Sequence, residues 1–468
     1  MSYRGYKRTE ISQFINYWEG LFTGERGANH WFTWSFFQPD YSPAKKREFY
    51  RDIIWELRSG IAALMVNSNK FTDEAAILYS HPSVRSNFLK EEKLDVYDNL
   101  LSFARYFEDR AMGYRFILPD DLENGTLNKF KVLVLAEATA ISAKQAQAIK
   151  KFVANGGILL ADYETALEDE WNVPLAKGML DDLLGIRQRS MGFANSKPSA
   201  QFNIRKCAKA KAVKGKPQAM LKDALNRQYP ILITNKYGKG RSLYLNFRFD
   251  YNKQRMQGDD SLRALLDQHL NFQSKYKPVM DLNGKPAGRI MTTFYRNRQN
   301  MYIGLLPELP KGNWQKAKPD ALKKFSFKAK FTLPAKGWLY NARTGKCYGN
   351  KPVQILDLTP AHAVVLSLLP YRVTGLDVKT SGIVNDIAKI AVSVKTSNGK
   401  AGHHVFHMTV KTPDGKTPWY YRQTKETANG SAAFELPLAV NAAKGNYEIT
   451  VTDAATKTSA VLRINCKN

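Results

Sequence analysis

From Glu74 onward the chain alternates short, uninterrupted apolar runs with helical stretches, and that alternation leaves few folds open. Ala75 to Ser80, Tyr114 to Pro119, Lys131 to Ala136 and Gly157 to Asp162 read as strands, with helices at Leu94 to Met112 and Ser142 to Asn155. A strand that is apolar at successive positions has to be buried on both faces, which requires a parallel sheet covered by helices. Ser142 sits where an N-cap is needed, and Gly156 and Gly157 sit where the same helix must stop. After a less regular basic stretch the domain returns for a late strand at Gly240 to Phe247, so residues 74–272 are expected to form one α/β unit.

The chain has 468 residues, whereas single cores stop growing at about 250 to 300, so further domains are expected on either side. Residues 1–73 give a helix at Glu10 to Leu21, an aromatic strand at Asn29 to Phe37, and a helix at Ala44 to Val66. In that last helix Phe49, Ile53, Ile54, Leu57, Ile61 and Leu64 keep an amphipathic period. One strand and two helices cannot close a core, so this piece must pack on the next domain or on a separate partner. Residues 273–370 give short strands at Gly288 to Phe294, Asn300 to Leu306, Lys324 to Leu333, Gly337 to Asn341 and Ala363 to Leu368, the spacing of a small antiparallel β domain. Residues 371–468 give strands at Ile387 to Lys395, His404 to Lys411, Gly430 to Leu436, Gly445 to Thr452 and Thr458 to Ile464, at sandwich-like intervals.

Charge bears on partners rather than on fold. With 70 Lys and Arg against 42 Asp and Glu the formal net charge is +28, a field that attracts polyanions. The densest run goes from Arg205 through Lys206, Lys209, Lys211, Lys214 and Lys216 to Lys222. It has no aromatic among its charges on which a base could stack, so it reads as a solvated face and nucleic acid is not an expected partner. Cys207, Cys347 and Cys466 are too far apart to encode a zinc site or a disulfide framework. The polar start Met1 to Arg8 has no apolar leader segment, and no run reaches the roughly 20 apolar residues of a membrane helix.

Each candidate site competes with a structural reading. His403, His404 and His407 include two residues on one strand face that could share a metal, yet no carboxylate or cysteine stands at ligand spacing, so they read as hydrogen-bonded surface residues and no metal is expected. Asp162 and Glu164, with Glu168, Asp169 and Glu170 nearby, follow the fourth strand, where open α/β sheets bind ligands; the plainer reading is a solvated acidic loop. The third strand runs into Glu137-Ala-Thr-Ala, without the Ser or Cys of a nucleophile elbow. Lys236 to Arg241 has phosphate-loop glycines but precedes a strand, so it reads as a turn. Trp31, Phe32, Trp34, Phe36 and Phe37 read as core, and Trp34, just before a polar loop, is the one candidate for stacking on a sugar ring.

The order of these parts resembles a known family. Gly27 to Trp34 resembles the last barrel strand of family 42 glycoside hydrolases, which are β-galactosidases, and Ala44 to Met65 resembles their closing helix. The strands of residues 74–272, with the phrase Phe152-Val-Ala-Asn-Gly-Gly-Ile-Leu, resemble that family's flavodoxin-like, amidotransferase-like trimerisation domain, which has lost its catalytic cysteine. The resemblance covers roughly residues 20 to 370 and departs from the family pattern at Ser35, where an Arg usually follows the strand tryptophan. It implies a carbohydrate partner, a homotrimer, a sugar contact at Trp34 and no cofactor. It also implies that the acid/base and nucleophile glutamates belong to earlier barrel strands. A barrel takes about 250 residues, and retaining hydrolysis takes two carboxylates about 5 Å apart; neither fits before Gly27, so no catalytic residue is expected in this chain. Residues 371–468, with Pro413-Asp-Gly as a hairpin turn, are similar to immunoglobulin-like or macroglobulin-like modules of bacterial surface and secreted enzymes, which implies a periplasmic or extracellular setting. The competing reading is a surface protein that binds acidic glycans through its basic face.

Overall fold

A computed structural model describes residues 10–27, 48–72, 74–89, 96–188, 193–195, 204, 206–208, 210–222, 226–256, 259–310, 314, 318–439 and 441–466. Two compact units emerge, one of residues 72–276 and one that combines residues 1–71 with residues 277–468.

The unit of residues 72–276 is built on a seven-stranded sheet. Its five parallel strands are Ala75–Leu78, Tyr114–Ile117, Val132–Leu135, Ile158–Ala161 and Gly240–Leu245, lying side by side in the order second, first, third, fourth, fifth. Apolar side chains go alternately to two cores, as the period of a strand requires. Ala75, Ile77, Val132, Val134, Leu160 and Leu243 join the helices Val96–Asp109 and Ser261–Leu270 on one face. Ala76, Leu78, Leu133, Leu135, Leu159 and Tyr244 join Ala143–Ala154 on the other. That helix begins at a reciprocal cap: Ser142 Oγ accepts from Gln145 N at 3.1 Å, and Gln145 Oε1 accepts from Ser142 N at 3.0 Å. It ends where Gly156 takes a φ of +113°.

The basic stretch before the last parallel strand is more regular than its sequence indicates. Lys216–Lys222 and Gln228–Tyr237 add two antiparallel strands to the same sheet, Lys216–Lys222 at its edge. Lys211, Lys214, Lys216 and Lys222 are exposed. Charge along an exposed edge opposes pairing with another chain. Arg205 and Lys209 lie outside the described residues.

In the other unit, Ile290–Asn297, Asn300–Pro307, Val364–Leu369, Trp338–Asn341 and Cys347–Gly349 follow one another in an antiparallel sheet that Asn69–Lys70 extends at its other edge. The partner left open for the N-terminal helices is now identified. Trp18 and Phe22 of the helix Glu10–Thr23 pack with Ile61, Leu64 and Met65 onto Met291, Tyr295, Tyr302 and Val365 of that sheet, and onto Val405 and Ala454 further on. The helix expected over Ala44 to Val66 is interrupted. Glu48–Glu56 passes through a π turn at Leu57–Ile61 into Ala62–Val66, because Gly60 adopts a φ of +104° against Val405 and Ala454.

Residues from Val373 form a two-sheet sandwich. Val373–Val384, Ile387–Thr396 and Ser431–Pro437 make one sheet, and Gln423–Thr427, His404–Lys411, Gly445–Asp453 and Ser459–Cys466 make the other. Between them lie Ile390, Val392, Phe406, Met408, Phe434, Ile449 and Val451. Val373–Val384 and Gln423–Thr427 are strands the sequence did not reveal, because their polar and exposed residues obscure the period of two. Cys347 and Cys466 are free thiols.

Candidate functional site

Trp34, the one residue expected to meet a sugar, lies with Trp31, Phe32, Phe36 and Phe37 outside the described residues. The remaining candidates fall at three places, the C-terminal ends of the parallel strands, the start of the strand His404–Lys411 and the hairpin turn Lys236 to Arg241.

At the first place Glu137, two residues beyond the third strand, takes a φ of +44°, a left-handed turn conformation. Its carbonyl accepts from Thr139 N at 2.9 Å, which closes the turn. Its carboxylate pairs with Arg248 beyond the fifth strand. The acidic residues after the fourth strand are not a uniformly solvated loop: Asp162 is fully buried. Asp162 Oδ1 accepts from Glu137 N at 2.7 Å, and Oδ2 accepts from Asn99 Nδ2 at 2.6 Å. Burial first, and the Glu137 charge second, push the Asp162 carboxyl up to about 8. Asp162 is therefore mainly neutral near pH 7, while Glu137 has the Arg248 guanidinium as counter-charge.

Glu137, Asp162 and Thr165 are all buried, so side chains of the unit itself occupy the position where an open sheet of this kind takes a ligand. Glu137 itself, at this turn, carries a carboxylate in an ion pair with Arg248 rather than a hydroxyl or thiol. Chemically the arrangement can hold a proton and fix a turn. Sequence spacing did not reveal it, because Glu137, Asp162 and Arg248 come from three different strand ends.

At the second place the structure corrects the reading of the histidines as surface groups. His403 and His404 are buried, and their ring nitrogens are engaged. His403 Nδ1 lies 2.8 Å from the Tyr302 hydroxyl, and Nε2 lies 2.7 Å from Glu426 Oε1. His404 Nδ1 lies 2.9 Å from Asp453 Oδ1, and Nε2 lies 3.0 Å from the Tyr371 hydroxyl. His407 Nδ1 is 2.9 Å from Thr424 Oγ1, so the three rings face different partners and do not converge. No group of three metal-ligating side chains occurs among the described residues. The cluster is a buried polar seam that joins the six-stranded sheet to the sandwich. Burial raises the proton affinity of the Asp453 carboxyl, but the His404 partner and hydrogen bonds from Thr456 and Ala455 outweigh it and hold the group below its ordinary range.

Lys236 to Arg241 is the hairpin turn joining Gln228–Tyr237 to Gly240–Leu245, with Lys236 opposite Arg241. The Arg241 guanidinium donates to the carbonyls of Leu270 and Asn271, at 2.5 and 3.1 Å, at the end of the helix Ser261–Leu270. No described helix is long and apolar enough to cross a membrane.

Comparison with known proteins adds a family match over part of the chain. Residues 73–273 match the family model described as the β-galactosidase trimerisation domain. Among solved structures, Gan42B, a GH42 β-galactosidase from G. stearothermophilus, and its catalytic mutant each align with a TM-score of 0.55 at 15% identity, over 78% of this chain and 52% of theirs. A β-galactosidase from Bacillus circulans sp. alkalophilus aligns with a TM-score of 0.49 at 13% identity, over 70% of this chain and 46% of its own. No curated protein sequence matches. The chain thus spans about half the length of the solved structures it matches, and at such identities the likeness is one of fold. Residues 73–273 thus match the model of the β-galactosidase trimerisation domain, and the chain resembles in fold about half of a GH42 β-galactosidase.

Proposed function

We infer that this chain acts in carbohydrate metabolism as the non-catalytic C-terminal region of a β-galactosidase-like glycoside hydrolase, holding copies together and carrying accessory β domains. The observation that carries this reading is the family match over residues 73–273. In this reading residues 1–73 are the end of a β/α barrel with Trp34 at its mouth, and residues 74–272 are the trimerisation domain. Residues 273–370 are a small β domain, and residues 371–468 are an immunoglobulin-like sandwich.

The parallel strand order second, first, third, fourth, fifth supports a flavodoxin-like fold for the trimerisation domain. Glu137, paired with Arg248 at the turn after the third strand, supports an amidotransferase-like ancestry from which the nucleophile has gone. A three-stranded sheet facing a four-stranded one supports the immunoglobulin-like reading of the last domain.

Light scattering of the purified chain tests the assembly, and assay with a nitrophenyl β-galactoside tests the chemistry. The expected result is a particle of three chains without turnover. A monomer at micromolar concentration would overturn the trimer, and hydrolysis by this chain alone would overturn the non-catalytic reading.

A further inference from the structure

Trp419 and Tyr420 lie side by side on the surface of the C-terminal sandwich, 70% and 63% exposed, with ring centroids 6.1 Å apart and planes at 77°. They form a short 3-10 turn with Tyr421, Trp419–Tyr421, and that turn is anchored on both sides. Before it, Pro418 holds a φ of −60°. After it, Tyr421 is buried in the sandwich core, and the Arg422 guanidinium stacks 4.4 Å over the Trp55 ring. The two rings therefore stand on a fixed base and contribute little to the core beneath them. Leaving two such large apolar surfaces in water opposes solubility without helping the fold.

The surroundings are polar. The hairpin turn just before them carries Asp414 and Lys416, whose charged groups pair at 2.8 Å, and the Asp414 carboxylate raises the proton affinity of the Lys416 ammonium. Lys411, Pro413, Gly415 and Thr417 are exposed as well. A protein-binding patch normally has a contiguous apolar centre fed by several side chains, whereas this corner offers two aromatic faces bordered by a carboxylate and an ammonium. A pyranose ring has the complementary build: one face of C–H groups for an aromatic ring, and a rim of hydroxyls that donate to a carboxylate and accept from an ammonium.

We propose that Trp419 and Tyr420, with Asp414 and Lys416 at their edge, form a glycan-binding site for a pyranose polysaccharide. The choice of a galactose-built probe rests on the galactosidase-like reading above, while the site itself rests on its own geometry. The test is affinity electrophoresis of the full chain through gels containing soluble β-1,4-galactan, in high salt so that the net charge of +28 is screened. The chain should be retarded, and Trp419→Ala should weaken binding by about tenfold or more. Tyr420→Ala should weaken it as well, while Tyr420→Phe, which keeps the ring face, should retain most of it. Both side chains project into solvent, so the variants should melt as the parent does. Absence of retardation would overturn the site, as would retardation unchanged in Trp419→Ala and Tyr420→Ala. Loss of a self-associated species in Trp419→Ala without any effect on glycan binding would also overturn it, assigning the corner to a contact between copies. Light scattering reads that outcome separately, because a trimer held by residues 74–272 should survive Trp419→Ala.

Discussion

Asp109 and Arg255 meet as a two-point ion pair that water does not reach. Nε of the guanidinium is 3.0 Å from Oδ2, Nη2 is 2.8 Å from Oδ1, and the side chains are 0% and 1% exposed. Asp109 is the last residue of the helix Val96–Asp109, where the helix dipole disfavours an anion, so the carboxylate depends on Arg255 and on the Tyr251 hydroxyl, which donates at 2.7 Å.

Removing either member leaves a buried charge without its partner. Asp109→Leu and Arg255→Met are each expected to cost about 3 to 5 kcal/mol, and the double variant less than the sum of the two. Denaturant unfolding monitored on the α/β unit checks this. Single variants within about 0.5 kcal/mol of the parent would mean that the pair is not a structural support.

The raised Asp162 carboxyl makes stability depend on pH in a defined direction. The native state keeps a proton that the unfolded chain releases from the ordinary value of 3.8 upward, and it releases that proton only at about 8. The contribution is therefore fully present below the lower value and is lost as pH rises through the upper one, with a slope of at most about 1.4 kcal/mol per pH unit for one proton. Asp162→Asn should flatten the stability profile across this window and gain on the parent toward its alkaline end. Parallel profiles for parent and variant would refute the assignment.

The Asp453 carboxyl acts in the opposite sense. Its folded-state proton affinity is held below the ordinary one, so its contribution is present above the ordinary carboxylate range and is lost as pH falls through the folded value. His404→Leu should destabilise the sandwich by about 3 to 5 kcal/mol, because it strands a buried anion. Asp453→Asn should weaken acid unfolding of that unit as well as lowering its melting temperature. An acid profile identical in parent and Asp453→Asn would show that another group controls it.

Gly60 tests the packing of the N-terminal helices. A Cβ there would lie 2.8 Å from Ala454 Cβ and 2.9 Å from Val405 Cγ1, on a backbone whose φ is +104°. Gly60→Ala is expected to cost about 2 to 4 kcal/mol, part from overpacking and part from the left-handed conformation. Adding Val405→Ala should recover only a fraction of the packing part, because the contact with Ala454 Cβ and the backbone conformation remain. Thermal unfolding checks this, and a neutral Gly60→Ala would mean the helix straightens freely at this point.

The sequence by itself determined the parallel strands of the α/β unit and two of its helices, Val96–Asp109 and Ala143–Ala154. Runs such as Val132 to Leu135 are stable only when buried on both faces, and local signals such as Ser142 and Gly156 mark helix ends without reference to anything distant. The resemblance that these strands carried agrees with the family match over residues 73–273. The tertiary structure decided whatever depends on residues far apart in the chain. It placed Glu137 beside Asp162 and Arg248, His404 against Asp453, and the N-terminal helices on the sheet of residues 290–369. It also turned the irregular basic stretch into paired edge strands, because an exposed strand is held by hydrogen bonds to its neighbour rather than by a pattern in its own side chains.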